Sequence, residues 1–520
     1  VSAKADGVDI KVKGTYEFAF GWVWNDGFSN SVNKSSYSDS PKDPFLAQQR
    51  VRVQINFIIN EYLQGVYGTE TNLVWGRNTG GTPGAVGGTG NASGGAMDSD
   101  GVNIRTRWAY LDWLIPNTSV QVRMGMQPVA TPSTRLGTPL LNTDVAGIIV
   151  SSPTPLDWLS VTAFWLRPYD YFGNDSYING DGRFGGLGRF DEVDAFGFIL
   201  PVSIRKIGLD IKPYFIFANI GASSGWYDRQ FDMRDLDEDG ALSDPFAGNT
   251  PAVRDDRTHA IWAGINFDFK LLDPLTIGLD VIYGNAHKND LGDKTLAVGD
   301  DDRDVLIGTR GWFIAATLDY KLDFGSNFSV TPGIFGWWAS GDSAGGVENG
   351  QYGRLPSIGT NGGNFRPTSF GGVGYFNTQS QYNNGGEIIN TGTGTWGVGI
   401  QLANATFIKD LTHTLRFAYY RGTNDSDIVR CERDGGLGFV PKYRDDNLYL
   451  TTSDSVFEVN FDHTYKIYEN LTAALELGWL HLNSDEEVWG NSSFANPGRT
   501  GEGKASTNAW KAELLFTFSF

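Results

Sequence analysis

A chain of 520 residues with 67 glycines, 13% aromatic residues and a net charge of −19 excludes several classes of protein at once. It contains no run of roughly 18 apolar residues, so no helix in it is fit to cross a bilayer, and its acidity argues against a nucleic-acid partner, whose phosphates need a basic face. The single cysteine, Cys431, rules out an intrachain disulfide framework and a cysteine-based zinc cluster.

No charged and apolar leader precedes Val1, so the sequence reads as a mature protein from which any export signal has been removed, and export has to be inferred from other features. A mean hydropathy of −0.27 alongside many aromatics fits apolar side chains diluted by alternation with polar ones. A barrel wet inside and apolar outside has that composition, and a large secreted all-β protein can share it.

The first segment puts Val8, Ile10, Val12, Tyr16, Phe18, Phe20, Trp22 and Trp24 on one parity and Asp9, Lys11, Lys13, Thr15 and Glu17 on the other. Period two over this length predicts a strand with different solvents on its two faces. Further alternating segments follow at 48 to 60, 66 to 76, 103 to 115, 119 to 127, 145 to 152, 158 to 168, 192 to 203 and 207 to 219. The second half adds 258 to 271, 274 to 285, 308 to 321, 327 to 339, 393 to 404, 412 to 421, 453 to 463, 470 to 482 and 507 to 520. The third, sixth and eighth show the weakest alternation.

Connections alternate between short turns, such as 115 to 119, 203 to 207, 271 to 274 and 465 to 470, and long Gly/Asp/Asn/Ser-rich loops. One rim is plain and the other elaborate, as in outer-membrane barrels with short periplasmic turns and both termini on the periplasmic side. Phe328 and Trp338 share a parity ten residues apart, which at about 3.3 Å per residue and a tilt near 40° covers about 25 Å of bilayer. Trp312 and Tyr320 bracket the neighbouring strand with no charge between them on that face. The expectation is an all-β, transmembrane antiparallel β-barrel of about eighteen strands, one domain over 1–520. Sixteen is the alternative if two weak strands belong to a folded loop.

The last strand carries Trp510, Phe516, Phe518 and a terminal Phe520 on alternate positions, and resembles the assembly signal of bacterial outer-membrane proteins. The whole chain resembles the trimeric porin family and is similar to major porins of sulfate-reducing bacteria. The segment Val120 to Pro128, running through Gly-x-Gln, resembles the strand that leads into that family's third loop. The resemblance implies a homotrimer, a passive channel for small hydrophilic solutes and ions, and a constriction loop at 128–144 folded into the lumen. It carries Arg135 and, as its single acid, Asp144. An acidic tip seen in enterobacterial members is missing.

On strands one to five the inward parity holds Lys11, Lys13, Arg50, Arg52, Arg105, Arg107 and Arg123 against Asp9, Glu17 and Glu70. Strands nine to eighteen hold Lys212, Lys270, Lys321, Arg416 and Lys511 against Asp210, Asp268, Asp280, Asp319, Glu458, Asp462, Glu476 and Glu513. A basic wall facing an acidic one would set a field across a pore. By the resemblance, Arg52, Arg105, Arg107 and Arg123 match the family's arginine ladder. Mutual neutralisation of inward charges is the plainer reading.

Inward parity also selects Trp262, Phe313, Phe335 and Trp337, a set that would let sugar rings slide if it lined a pore. A slip of one residue would return them to lipid. Asp235, Asp237 and Asp239 with Gly240 resemble the opening of a calcium loop, although Phe246 stands at the twelfth position. The alternative there is a solvated acidic loop. The acids at 300 to 304 suit a solvated surface or divalent bridges to lipopolysaccharide. His287 is expected in a loop and His259, His413, His463 and His481 on the lipid parity or near strand ends, so no catalytic triad is indicated. A soluble β-rich adhesion protein and a barrel enzyme are the rival classes.

Overall fold

The computed structural model describes residues 2–5, 7–24, 45–75, 104–170, 192–221, 226, 233–236, 242–243, 257–270, 274–290, 306–325, 328–358, 364–368, 392–430, 440–441, 449–489 and 506–520. Its barrel strands are β1 Val8–Trp24, β2 Phe45–Ile58, β3 Leu63–Val74, β4 Arg105–Leu114, β5 Gln121–Ala130 and β6 Asn142–Pro153. They continue as β7 Ser160–Asp170, β8 Glu192–Ile199, β9 Leu209–Gly221, β10 Arg257–Phe269, β11 Leu275–Asp290 and β12 Leu306–Tyr320. The last six are β13 Ser329–Ala339, β14 Thr395–Ile408, β15 Leu411–Gly422, β16 Ser455–Tyr468, β17 Leu471–Asn483 and β18 Ser506–Ser519.

Each strand pairs antiparallel with its neighbours in sequence, and β18 closes on β1, with Thr15 opposite Ser519 and Trp24 opposite Trp510. Eighteen strands therefore form a ring with no free edge, which satisfies every ladder without solvent. All three weakly alternating segments are barrel strands: β3, β6 and β8. His287, expected in a loop, lies on β11, which runs further than its apolar pattern because polar residues continue the ladder past Ala286 across a bulge.

The outward parity is the apolar one. Trp312, Ile314, Leu318 and Tyr320 of β12 are exposed together, as are Phe328, Ile334 and Trp338 along β13. A solvent of hydrocarbon explains such exposure, since each of these side chains would be worth roughly 1.5–3 kcal/mol if removed from water. The adjacent tryptophans separate cleanly: Trp338 is 43% exposed outside and Trp337 is 4% exposed inside.

The inner wall from β6 to β14 is also largely apolar and is covered by chain folded into the barrel. Leu136, Leu140 and Leu141 of the β5–β6 connection pack in one cluster with Trp262, Phe313, Phe335, Trp337, Leu355, Ile358 and Phe365. Glycine makes room for the large inward rings. A Cβ on Gly397 would meet the Trp337 ring at 2.3 Å, and one on Gly399 the Phe335 ring at 2.2 Å. The Gly-x-Gly alternation of β14 is thus the complement of the aromatic alternation of β13.

Candidate pore constriction

The β5 and β6 strands extend to Ala130 and from Asn142, and the chain between them crosses the lumen. Its tip reaches β11 and β12 on the other side. The Thr134 amide donates to Asp280 Oδ2 at 2.5 Å, and Asn266 Nδ2 donates to the other Asp280 oxygen at 2.7 Å. Arg135 grips Asp319 with Nε–Oδ2 2.6 Å and Nη2–Oδ1 3.1 Å, and Gln401 Nε2 donates to the same Oδ1 at 3.0 Å. This fork is the geometry that suits a planar guanidinium to a carboxylate.

A second connection, after β13, completes the inner layer. Asn364 N donates to Thr138 O and Arg366 N to Leu136 O, both at 2.6 Å, so 364–366 lies as a strand-like partner beside the first loop. Gly137 sits at φ +85° between them, and a Cβ there would fall 1.7 Å from the Asn364 carbonyl oxygen. Only glycine fits that approach.

Upstream, Asp342 accepts from the amides of Gly353 and Arg354 and from Arg354 Nε at 2.7 Å. Burial works against the Arg354 charge, but Asp342 beside it holds the guanidinium above its ordinary pKa. This turn presses Leu355 against Trp262 and Gly284, while Trp262 Nε1 donates to Pro356 O at 2.8 Å.

The opposite wall, β1 to β5, carries the charges. Register rows run Glu17–Arg50–Asn72, Thr15–Arg52–Glu70–Arg105, and Asp9–Ile58–Gln64–Asp112–Arg123. A bulge between β3 and β4 brings Arg105 and Arg107 to one side, above inward Trp108, Tyr110 and Asp112. Glu70 is the hub: Arg52 Nε lies 2.6 Å, Arg107 Nη1 3.8 Å and Arg50 Nε 4.0 Å from its Oε2. Arg50 reaches Glu17 at 3.4 Å, and Arg107 Nε donates to Asp144 at 2.6 Å. Asp144 also accepts from Trp108 Nε1 at 2.7 Å.

Signs therefore alternate from Glu17 through Arg50, Glu70 and Arg107 to Asp144, tying four strands and the base of the crossing loop together. Among the described residues Lys11, Lys13, Arg105 and Arg123 form no ion pair; Arg123 lies over the Tyr110 ring at 5.9 Å. Lys11, Lys13 and Arg105 are exposed.

Several expectations are refined by this arrangement. Arg135, taken as a lining cation, is spent on Asp319 and anchors the loop. Trp262, Phe313, Phe335 and Trp337 do face inward, yet they are 0–4% exposed beneath the folded connections, so they form no slide for sugars. Lys511, Glu513 and Glu458 on the acidic side are likewise buried, with Lys511 Nζ 2.7 Å from Glu476 and 3.2 Å from Glu513. Asp112, which the sequence reading did not single out, accepts from Gln64 and Gln121 on the inner face.

Of the calcium candidates, Asp235 lies on the short strand Met233–Leu236, and Asp237 and Asp239 fall outside the described residues, as do the acids at 300 to 304. Among the described residues no three His, Cys, Asp or Glu side chains are grouped to hold a metal.

A closed antiparallel barrel, apolar outside and charged inside, with chain folded across its bore, has the architecture of a transmembrane β-barrel. No family model matches the chain, and no curated protein matches it. Among solved structures it is similar to Acinetobacter baumannii OccAB1, at 11% identity over 98% of this chain and 97% of that one, with a TM-score of 0.47. Pseudomonas aeruginosa OccK5 (OpdH) has 10% identity, 98% coverage of each chain and a TM-score of 0.45. Pseudomonas aeruginosa OprD has 9% identity over 98% and 95%, with a TM-score of 0.43. Likeness at this level carries nothing about solutes, for which the inner face is the only guide.

Proposed function

We propose that this chain is a bacterial outer-membrane porin, a passive diffusion channel for small hydrophilic solutes and ions. The observation that carries the reading is the loop 131–141, held across the lumen by Asp280 and Asp319 and facing the charged wall of β1 to β5. A loop that narrows a barrel without filling it sets a size limit, and ionic side chains on the open side keep the path wet.

The short turns at 59–62, 115–120, 409–410 and 469–470 share a rim with the start of β1 and the end of β18. In an outer membrane that rim is periplasmic. The resemblance to trimeric porins supports a homotrimer, and the elaborate rim offers acids for divalent bridges to lipopolysaccharide.

Planar-bilayer recording on purified protein tests the function. Stepwise, ohmic openings are expected, with conductance that scales with bulk salt. A membrane that stays silent with correctly folded, heat-modifiable protein refutes a channel.

A further inference from the structure

Four of the five histidines form two facing pairs on the outer surface, one at each rim. His413 of β15 and His463 of β16 are register partners, with their Nδ1 atoms 2.6 Å apart. His259 of β10 and His287 of β11 have ring centroids 4.2 Å apart. His413 is two residues beyond Leu411, where β15 begins at the short-turn rim, and His259 is two residues beyond Arg257, where β10 begins at the long-loop rim. Both pairs stand where the outward face meets water.

The pair at the short-turn rim is the better defined. His413 stacks on Phe407 at 4.6 Å and 15°, and His463 meets Phe461 edge-on at 4.1 Å, so apolar rings fix both imidazoles. The Nδ1 contact has room for one hydrogen: one ring donates, the other accepts, and two protonated rings would repel. The accepting Nδ1 therefore carries a free lone pair, the feature through which an imidazole ligates a metal. Bonds of about 2.0–2.1 Å in a tetrahedral shell place two nitrogens roughly 3.3 Å apart. The rings need to separate by less than about 1 Å to admit an ion.

We propose that His413 and His463 form a two-imidazole site for a borderline divalent transition metal, Zn²⁺ or Cu²⁺, with water at the rim completing the shell. The ion takes both Nδ1 lone pairs, and each ring then keeps its hydrogen on Nε2. His413 Nε2 is buried without a hydrogen-bond partner among the described residues, so that tautomer gains no supporting carboxylate. The site is accordingly exchangeable, unlike a resident metal centre. Of the divalent series Cu²⁺ binds nitrogen ligands most tightly, which makes it the probe of choice.

The test uses the full chain in detergent, stripped with chelator and titrated with Cu²⁺ at neutral pH, read by electron paramagnetic resonance. To isolate the pair, His259, His287 and His481 are replaced together by asparagine. One Cu²⁺ per chain with hyperfine coupling to two nitrogens is expected, and His413→Asn added to this background should abolish it. A two-nitrogen signal that survives that change, or no signal from the folded triple variant, overturns the proposal. Should the triple variant fail to fold, His413→Asn in the otherwise native chain must lose one Cu²⁺ equivalent; unchanged stoichiometry overturns it equally. Conductance, an inner-face property, should not respond to the metal.

Discussion

Replacing Arg135 with alanine removes the forked pair to Asp319 while leaving the rest of the crossing loop in place. Charge-assisted hydrogen bonds of this kind contribute about 1.5–3 kcal/mol. Against that stand Leu136, Leu140 and Leu141, each 0–1% exposed, whose burial is worth about 1.5–3 kcal/mol apiece and so roughly 5–9 kcal/mol together. The loop should therefore stay folded in Arg135→Ala, with conductance little changed. Asp319, left with only Gln401 as a described partner, adds an unbalanced negative charge to the lumen. Reversal potential in a salt gradient should shift toward cations, and Asp319→Asn in the same chain should cancel the shift. Changing all three leucines to serine removes the larger apolar anchor, and conductance should rise with noisier openings. If Arg135→Ala alone widened the channel as much as the leucine triple, the apolar anchoring argument would be wrong.

Simultaneous replacement of Arg52, Arg105, Arg107 and Arg123 by alanine should move selectivity toward cations; an unchanged reversal potential would show that these charges do not face the permeating ion. Trp262→Ala should cost about 3–5 kcal/mol by opening a cavity under the loop, seen as a lower temperature of the heat-modifiable transition, while any sugar-induced block of current stays as it was. On β13, Ile334→Lys puts a charge on the outer face midway along the strand and should destabilise by about 2–4 kcal/mol in a folding titration into bilayers. The inward Gln401→Lys on its neighbour, placed beside Asp319, should be tolerated far better. Gly137→Val should break the pairing of 136–138 with 364–366, and wild-type conductance from that variant would argue against the close approach.

Parity along the strands was legible in the residues because two solvents impose period two on every barrel strand. The inward set from Lys11 to Glu513 and the outward set from Phe328 to Trp338 follow from that alone. Limits of periodicity show at β4, where a bulge changes face between Arg105 and Trp108, and at β11, where polar residues carry the ladder on through His287. Nothing local announces the inner layer. Leu355 and Phe365 lie far in sequence from Trp262 and Phe313, which they cover, so the aromatics read as pore lining until the covering chain is seen. Ion pairs such as Arg135–Asp319 join segments with no shared pattern, and composition is silent on them.

The pairing of Leu136 with Arg366 and of Thr138 with Asn364 also bears on the order of assembly. Eight strands, β6 to β13, separate the crossing segment from its partner in sequence, so the contacts that close the constriction are of high sequence separation, the kind whose loop-closure cost makes them slow to form. A nascent barrel that has not yet received β13 would have a wider bore than the finished one. Leakiness would then be a property of barrels in which this pairing is missing.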